Sequence, residues 1–300
     1  MSWMKFCLIC LFSVMNVIGC SSLFYYPRHD LLYNPQKLNL MPEDIWIKQD
    51  GMQIHAWLFK PQPQDKQNAQ GIQGALSAQD KPVTKENEAQ STKGTFVFFH
   101  GNAENLTSHY LSLVWLLDYN YSFIIFDYPG YGQSEGTPTP ESTVKAGKLV
   151  LEWVHKNLDS RPLYVYGQSL GGIISLRTVQ DLKGQVPVKK LIVDSSFNSY
   201  QKIGRRALSR SWITWLFQPL AYILLSDNYA PNKLSMLSPI PLLFIHGDDD
   251  RTVESIFSKE MYSEALEPKT LWIIPKSFHG GTFYVNKGEY RAKLIDHLEL

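Results

Sequence analysis

The chain carries one segment whose residue types and spacing suit a nucleophile, Gly167-Gln168-Ser169-Leu170-Gly171. It stands directly after the apolar β-rich run PLYVY and before the helical pattern that begins at Leu170. Small residues on both sides of a serine let the backbone take a strained strand-to-helix turn. That turn projects the hydroxyl, and the helix N-terminus behind it favours developing negative charge. A serine hydroxyl is a weak nucleophile at neutral pH, so a neighbouring imidazole must take its proton and a carboxylate must hold that imidazole in the right tautomer. Candidates follow further along the chain. The run PLLFI ends in His246-Gly247-Asp248-Asp249-Asp250-Arg251-Thr252-Val253, which offers three carboxylates, and the run TLWII is followed by Pro275-Lys276-Ser277-Phe278-His279-Gly280. His279 stands just past a strand end, whereas His297 falls in a C-terminal helical pattern.

These groups need a scaffold that brings strand ends together. From Thr95 onward TFVFF, SFIIF, PLYVY, KKLIVD, PLLFI and TLWII alternate with longer gaps, among them the helical patterns Pro140 to Asn157 and Leu170 to Leu182. Short β-branched and aromatic runs separated by helices read as βαβ units, which predicts a mostly parallel sheet covered on both faces. Ahead of them IWIKQDGMQIHAWLF is split by Asp50-Gly51, the signal of an antiparallel hairpin, and the alternation Met52, Ile54, Ala56, Leu58 predicts one buried face on its second strand. The polar stretch from Pro61 to Gly94 has too little apolar area to offset its ordering entropy and reads as a long exposed loop (61–94) inside a single domain spanning 43–300. The segment 195–239 breaks the βαβ rhythm with Trp212, Trp215, Phe217 and Tyr222, punctuated by Pro219 and Pro231. It reads as a helical insertion, either a helix pair packed on the core or a cap over a substrate pocket.

The motifs together resemble the α/β-hydrolase family, and this resemblance implies an α/β-hydrolase fold with the reacting groups in the chain order Ser, acid, His. The family's H-G-x-x-D-x-x-V pattern falls on His246, Gly247, Asp250 and Val253, so the resemblance selects Asp250 as the acid over Asp248 and Asp249. It also implies an oxyanion hole from the backbone N–H groups of Asn102, in the turn Phe99-His100-Gly101-Asn102-Ala103-Glu104-Asn105, and of Leu170. His100 precedes the nucleophile and is expected to order its own loop. His100-Gly101-Asn102-Ala103, Asp127 to Ser134 and Gly167 to Gly172 are similar to the branch of bud-emergence-type hydrolases and protein depalmitoylases. That branch often has a second glycine where this chain has Glu104, and Gly-His where it has Phe278-His279. The implied activity is hydrolysis of ester or thioester bonds through an acyl-enzyme, on a small-molecule or lipid-like substrate. An acyltransferase with the same triad, and a catalytically silent lipoprotein binding apolar ligands, are the alternatives.

Composition narrows the partners. Twenty-nine Lys and Arg against 28 Asp and Glu give a net charge of +1, no field for nucleic acid. The sequence has no P-loop and no H-E-x-x-H or Cys/His cluster, so neither cofactor nor metal is expected. A monomer is the default assembly state. The first 19 residues, with one lysine ahead of FCLICLFSVMNVIG, read as a signal peptide. Val17-Ile18-Gly19-Cys20 resembles the bacterial lipobox, which makes Cys20 the lipidation site and lipid-anchored N-terminus, with 20–42 a tether to the domain. Ser21 after it points to the outer membrane. Cys7, Cys10 and Cys20 are the only cysteines, and no disulfide framework is available to the mature chain.

Overall fold

The computed structural model describes residues 24–62, 92–158 and 162–299. The segment read from the sequence as a signal peptide, Cys20 and most of the polar stretch 61–94 lie outside the described residues. Among the described residues the strands are, in chain order, β1 (Tyr26–Pro27), β2 (Glu43–Gln49), β3 (Met52–Phe59), β4 (Thr95–Phe99), β5 (Ala103–Glu104), β6 (Ser122–Phe126), β7 (Leu163–Gln168), β8 (Val188–Asp194), β9 (Leu242–Gly247) and β10 (Lys269–Ile274). The helices are α1 (Leu106–His109), α2 (Pro140–Asn157), α3 (Leu170–Asp181), α4 (Tyr200–Ser209), α5 (Leu220–Leu224), α6 (Ile256–Glu264) and α7 (Glu289–Leu298), with short 3₁₀ turns between them.

Eight strands form one sheet in the order β10-β9-β8-β7-β4-β6-β3-β2. The pairings from β10 through β6 are parallel, whereas β3 runs antiparallel to both β2 and β6. The hairpin turn has Asp50 and Gly51 at φ 51° and 75°, the geometry of a tight type I′-like connection. Because successive strand residues face opposite sides, the interior strands feed two cores. Val97 and Phe99 of β4 join the layer under α2 and α3, while Phe96 and Phe98 join the one under α1 and α7. A parallel sheet needs this cover on both faces, and the near-continuous apolar runs supply it.

Two expectations are corrected. Strand β3 was expected to bury one face; Ile54, Ala56 and Leu58 do so, yet His55, Trp57 and Phe59 are buried as well. The strand is internal to the sheet, between β2 and β6, so both of its faces are covered. The tether 20–42 is not free along its length. Tyr25 is buried, β1 pairs in parallel with β5, and the Asn105 side-chain amide donates to the Arg28 and Asp30 carbonyls at 3.0 and 2.9 Å. Aromatic side chains that find pockets and backbone groups that find partners make this strap part of the domain from residue 24 onward.

Candidate active site

Ser169 sits between β7 and α3 at φ 54°, ψ −120°, a conformation that costs an ordinary residue about 1–3 kcal/mol and is held by its surroundings. The helix behind it packs against the turn after β4 so closely that a Cβ on Gly171 would lie 1.9 Å from the Phe99 carbonyl oxygen. Gly172 is equally confined, since a Cβ there would meet the Ser196 hydroxyl at 2.2 Å. Gly171 is thus required by close approach of backbone to backbone, which brings α3 against the end of β4 and the turn after it, and Gly172 by the Ser196 side chain packed on the helix.

His279 reaches the serine from the loop after β10. Its Nε2 is 2.9 Å from Ser169 Oγ, and its Nδ1 is 2.7 Å from Asp250 Oδ2. A carboxylate can only accept, so Nδ1 carries the proton and Nε2 is left as an acceptor facing the hydroxyl. Asp250 is buried in the loop after β9. Its Oδ1 accepts the backbone N–H groups of Thr252 and Val253, each at 2.9 Å, while His246 Nε2 lies 3.2 Å from Oδ2. Burial raises the Asp250 carboxyl, but the hydrogen bonds from His246 and His279 and the backbone outweigh it and hold its pKa well below the carboxylate range. His246 is itself tied down, with Nδ1 accepting from the Ser258 hydroxyl at 2.7 Å and Nε2 donating to Val253 O at 2.8 Å. Asp248 and Asp249 are exposed; Asp248 accepts the Lys276 N–H, and Asp249 pairs with Arg251.

The turn after β4 lies beside the serine. A Cβ on Gly101 would sit 3.8 Å from Ser169 Cβ. His100 donates from Nδ1 to the Gly101 carbonyl at 2.8 Å, which fixes the 101–102 peptide plane. The Asn102 N–H, antiparallel to that carbonyl in a trans peptide, points away from the His100 ring. Burial, reinforced by the nearby His109 charge, holds the His100 pKa far below its ordinary value, so the ring is a neutral brace. The Asn102 carbonyl accepts from the Tyr26 N–H at 2.8 Å and the Tyr131 hydroxyl at 2.7 Å, tying the turn to the N-terminal strap. Leu170 opens α3, where N–H groups lack an intrahelical acceptor.

Sequence reasoning missed the layer beneath. Asp194, fully buried at the end of β8, accepts from the Tyr166 hydroxyl at 2.6 Å and the Ser195 hydroxyl at 2.9 Å. The Ser195 hydroxyl oxygen in turn accepts the Gly280 N–H at 3.2 Å, immediately after His279. Burial raises the Asp194 carboxyl and also lifts the Tyr166 phenol, which stays a donor. Only the order β8-β7 in the sheet brings these residues together; a buried polar residue ending a strand run was the available signal.

The insertion after β8 comprises α4, a 3₁₀ turn at Trp215–Phe217, α5 and a second 3₁₀ turn at Leu234–Leu237. Trp212, Trp215, Phe217 and Tyr222 are exposed, so the core-packing reading of these aromatics is corrected: they lie outside the core. The cavity of about 740 Å³ against this insertion takes in Trp215, Tyr222 and Phe257 but no member of the Ser169, His279, Asp250 set. Among the described residues no three His, Cys, Asp or Glu side chains converge as metal ligands, and no helix is long and apolar enough to cross a membrane.

The sequence profile of the alpha/beta hydrolase fold matches residues 94–215, from β4 through Ser169 into the insertion. The YfhR protein of Salmonella typhimurium is 30% identical over 290 residues, covering 92% of this chain and 87% of its own. The chain belongs to the alpha/beta hydrolase fold family. The lysophosphatidylserine lipase ABHD12 of Danio rerio is 27% identical over 197 residues, 62% of this chain and 51% of its own. Among solved structures the esterase Pf2001 of Pyrococcus furiosus superposes with a TM-score of 0.65 at 18% identity, over 91% of this chain and 98% of that one. In alpha/beta hydrolase terms, the strand ends of β4, β7, β9 and β10 are where this chain gathers its candidate groups.

Proposed function

We propose that this alpha/beta hydrolase cleaves ester or thioester bonds of lipid-like or acylated substrates through an acyl-enzyme on Ser169. The observation that carries the proposal is the continuous relay Ser169 Oγ, His279, Asp250, with links of 2.9 and 2.7 Å. Ser169 Oγ attacks the acyl carbon while His279 Nε2 takes its proton, and Asp250 holds the imidazole and stabilises the imidazolium. The Asn102 and Leu170 N–H groups receive the developing oxyanion. His279 then gives the proton to the departing alkoxide or thiolate. In the second half water attacks the acyl-enzyme while its proton passes to His279 Nε2; as the acyl–Oγ bond breaks, His279 returns that proton to Ser169 Oγ, and the acid is released. Support for a lipid-like substrate comes from the kinship with a lysophosphatidylserine lipase.

We further infer that Cys20 is lipidated and holds the enzyme at a bacterial membrane, the outer one by virtue of Ser21. Labelling by a fluorophosphonate probe, and hydrolysis of p-nitrophenyl esters of graded chain length with Ser169→Ala as blank, test the chemistry. A wild-type rate in Ser169→Ala refutes it. Fractionation of cells expressing Cys20→Ala tests the anchor, which is refuted if the variant stays with the membranes.

A further inference from the structure

We propose that the insertion after β8 is a membrane-docking face that lays Trp212, Ile213, Leu216 and Ile223 into the surface of a bilayer bearing anionic headgroups. These four side chains are 87%, 63%, 76% and 75% exposed, in a protein that buries large aromatics throughout its two core layers. Isolated exposed apolar residues are ordinary, but a cluster within a dozen positions of one insertion marks an interaction surface.

Charge selects the occupant. From Ser195 to Leu225 the chain has no Asp or Glu, but it has Lys202, Arg205, Arg206 and Arg210 on and just after α4. Lys202 is offset by Glu260 at 3.0 Å, and Arg206 and Arg210 share Glu254 at 2.6 and 3.7 Å, whereas among the described residues the Arg205 guanidinium meets the neutral Gln218 amide, at 3.3 Å, and no carboxylate. Apolar tips on a segment that itself carries four basic and no acidic residues, with Arg205 unpaired by any carboxylate among the described residues, match the layered chemistry of a bilayer surface, with acyl chains below and phosphates above. A two-fold interface with a second copy would bring the same cations toward one another, which disfavours it.

The course of the N-terminal strap agrees, in a step that rests on the proposed lipidation of Cys20. The Phe24 ring meets Tyr200, the first residue of α4, edge-on at 5.1 Å. Four residues span at most about 14 Å, so an anchor at Cys20 would be no farther than that from Phe24, which packs on the first residue of the insertion's helix. The same insertion touches the acid loop: Arg210 donates to Thr252 O at 3.0 Å, and the Thr252 N–H donates to Asp250. A docked face therefore lies next to the candidate relay, where a substrate leaving the bilayer would arrive.

The test uses the full chain in a Ser169→Ala background, so that no outcome depends on turnover. It is mixed with phosphatidylcholine–phosphatidylglycerol vesicles whose acyl chains are brominated. Tryptophan emission is expected to be quenched, and Trp212→Phe with Trp215→Phe is expected to remove most of the quenched amplitude while leaving vesicle co-sedimentation intact. Arg205→Gln is expected to weaken partitioning about fivefold at low salt, and to have no effect on pure phosphatidylcholine. Equal quenching in the wild type and the Phe variant, or none in either, overturns the proposal. So does a concentration-dependent dimer, seen by light scattering, that Leu216→Ser and Ile223→Ser abolish while vesicles leave the tryptophans unquenched. That result assigns the face to a second copy.

Discussion

Replacing Asp250 by Asn changes one atom, and its surroundings set the effect. Oδ1 is held by two backbone N–H groups at 2.9 Å, so in the variant the amide oxygen stays on that side. The amide NH₂ then takes the place of Oδ2, facing His279 Nδ1 and His246 Nε2. A donor now confronts two ring nitrogens that had been donors. His279 answers by moving its proton to Nε2, which then points an N–H at Ser169 Oγ and can no longer accept the serine proton. The loss of a correctly oriented base in a serine triad is worth about 10⁴ in kcat, equivalent to about 5 kcal/mol of barrier. His246 cannot adapt as easily, because Val253 O already requires a proton on its Nε2, so a buried donor–donor contact lowers stability by about 1–3 kcal/mol. The assay is p-nitrophenyl butyrate hydrolysis with Ser169→Ala as the floor, alongside urea unfolding of each variant. Asp248→Asn and Asp249→Asn, at exposed carboxylates, are expected to stay within a few-fold of wild type. If Asp250→Asn keeps its rate within tenfold, or either neighbour proves the more damaging, the tautomer reasoning is refuted.

Gly171→Ala would force a methyl into the Phe99 carbonyl, and the shift of α3 away from the turn is expected to lower stability by about 3 kcal/mol and the melting temperature by roughly 6 °C, read by calorimetry. Tyr166→Phe leaves the buried Asp194 carboxylate short of its 2.6 Å donor; urea unfolding should show a loss of about 1.5–3 kcal/mol, and kcat should fall because the His279 loop is braced through Ser195. Burial pulls His55 down, but the Asp127 and Asp44 carboxylates outweigh it and hold its pKa above the ordinary value. Its contribution to stability is therefore complete below about pH 6.5 and fades as pH rises through the elevated folded-state pKa. His55→Gln should accordingly lose more stability relative to wild type at pH 6 than at pH 9, and a difference that grows with pH would contradict the ion-pair reading.

What the sequence made legible was local or periodic. The glycines around Ser169 announce a turn that few other residues permit. The β-rich runs announce a covered parallel sheet, and the span Pro140 to Asn157 coincides with α2. Contacts made by residues far apart in the chain left no such mark. Nothing at Tyr166 signals that its hydroxyl will meet Asp194, since only the pairing of β7 with β8 creates that contact. The strap from Phe24 to Leu40 has neither period, so its packing on the turn at 102–105 could be seen only in three dimensions. The insertion shows the converse failure, because apolar composition alone does not distinguish a core from a surface. Its tryptophans read as buried material or as the lining of a pocket; neither enters the core, and Trp215 lines the open cavity beside the insertion while Trp212 faces outward. The link of consequence is again non-local: Arg206 and Arg210 reach Glu254 and Thr252, in the same loop whose backbone holds Asp250. That loop therefore has two neighbours, the candidate relay on one side and the exposed apolar face on the other. A displacement of the insertion would reach the carboxylate that orients His279 across a path of two hydrogen bonds.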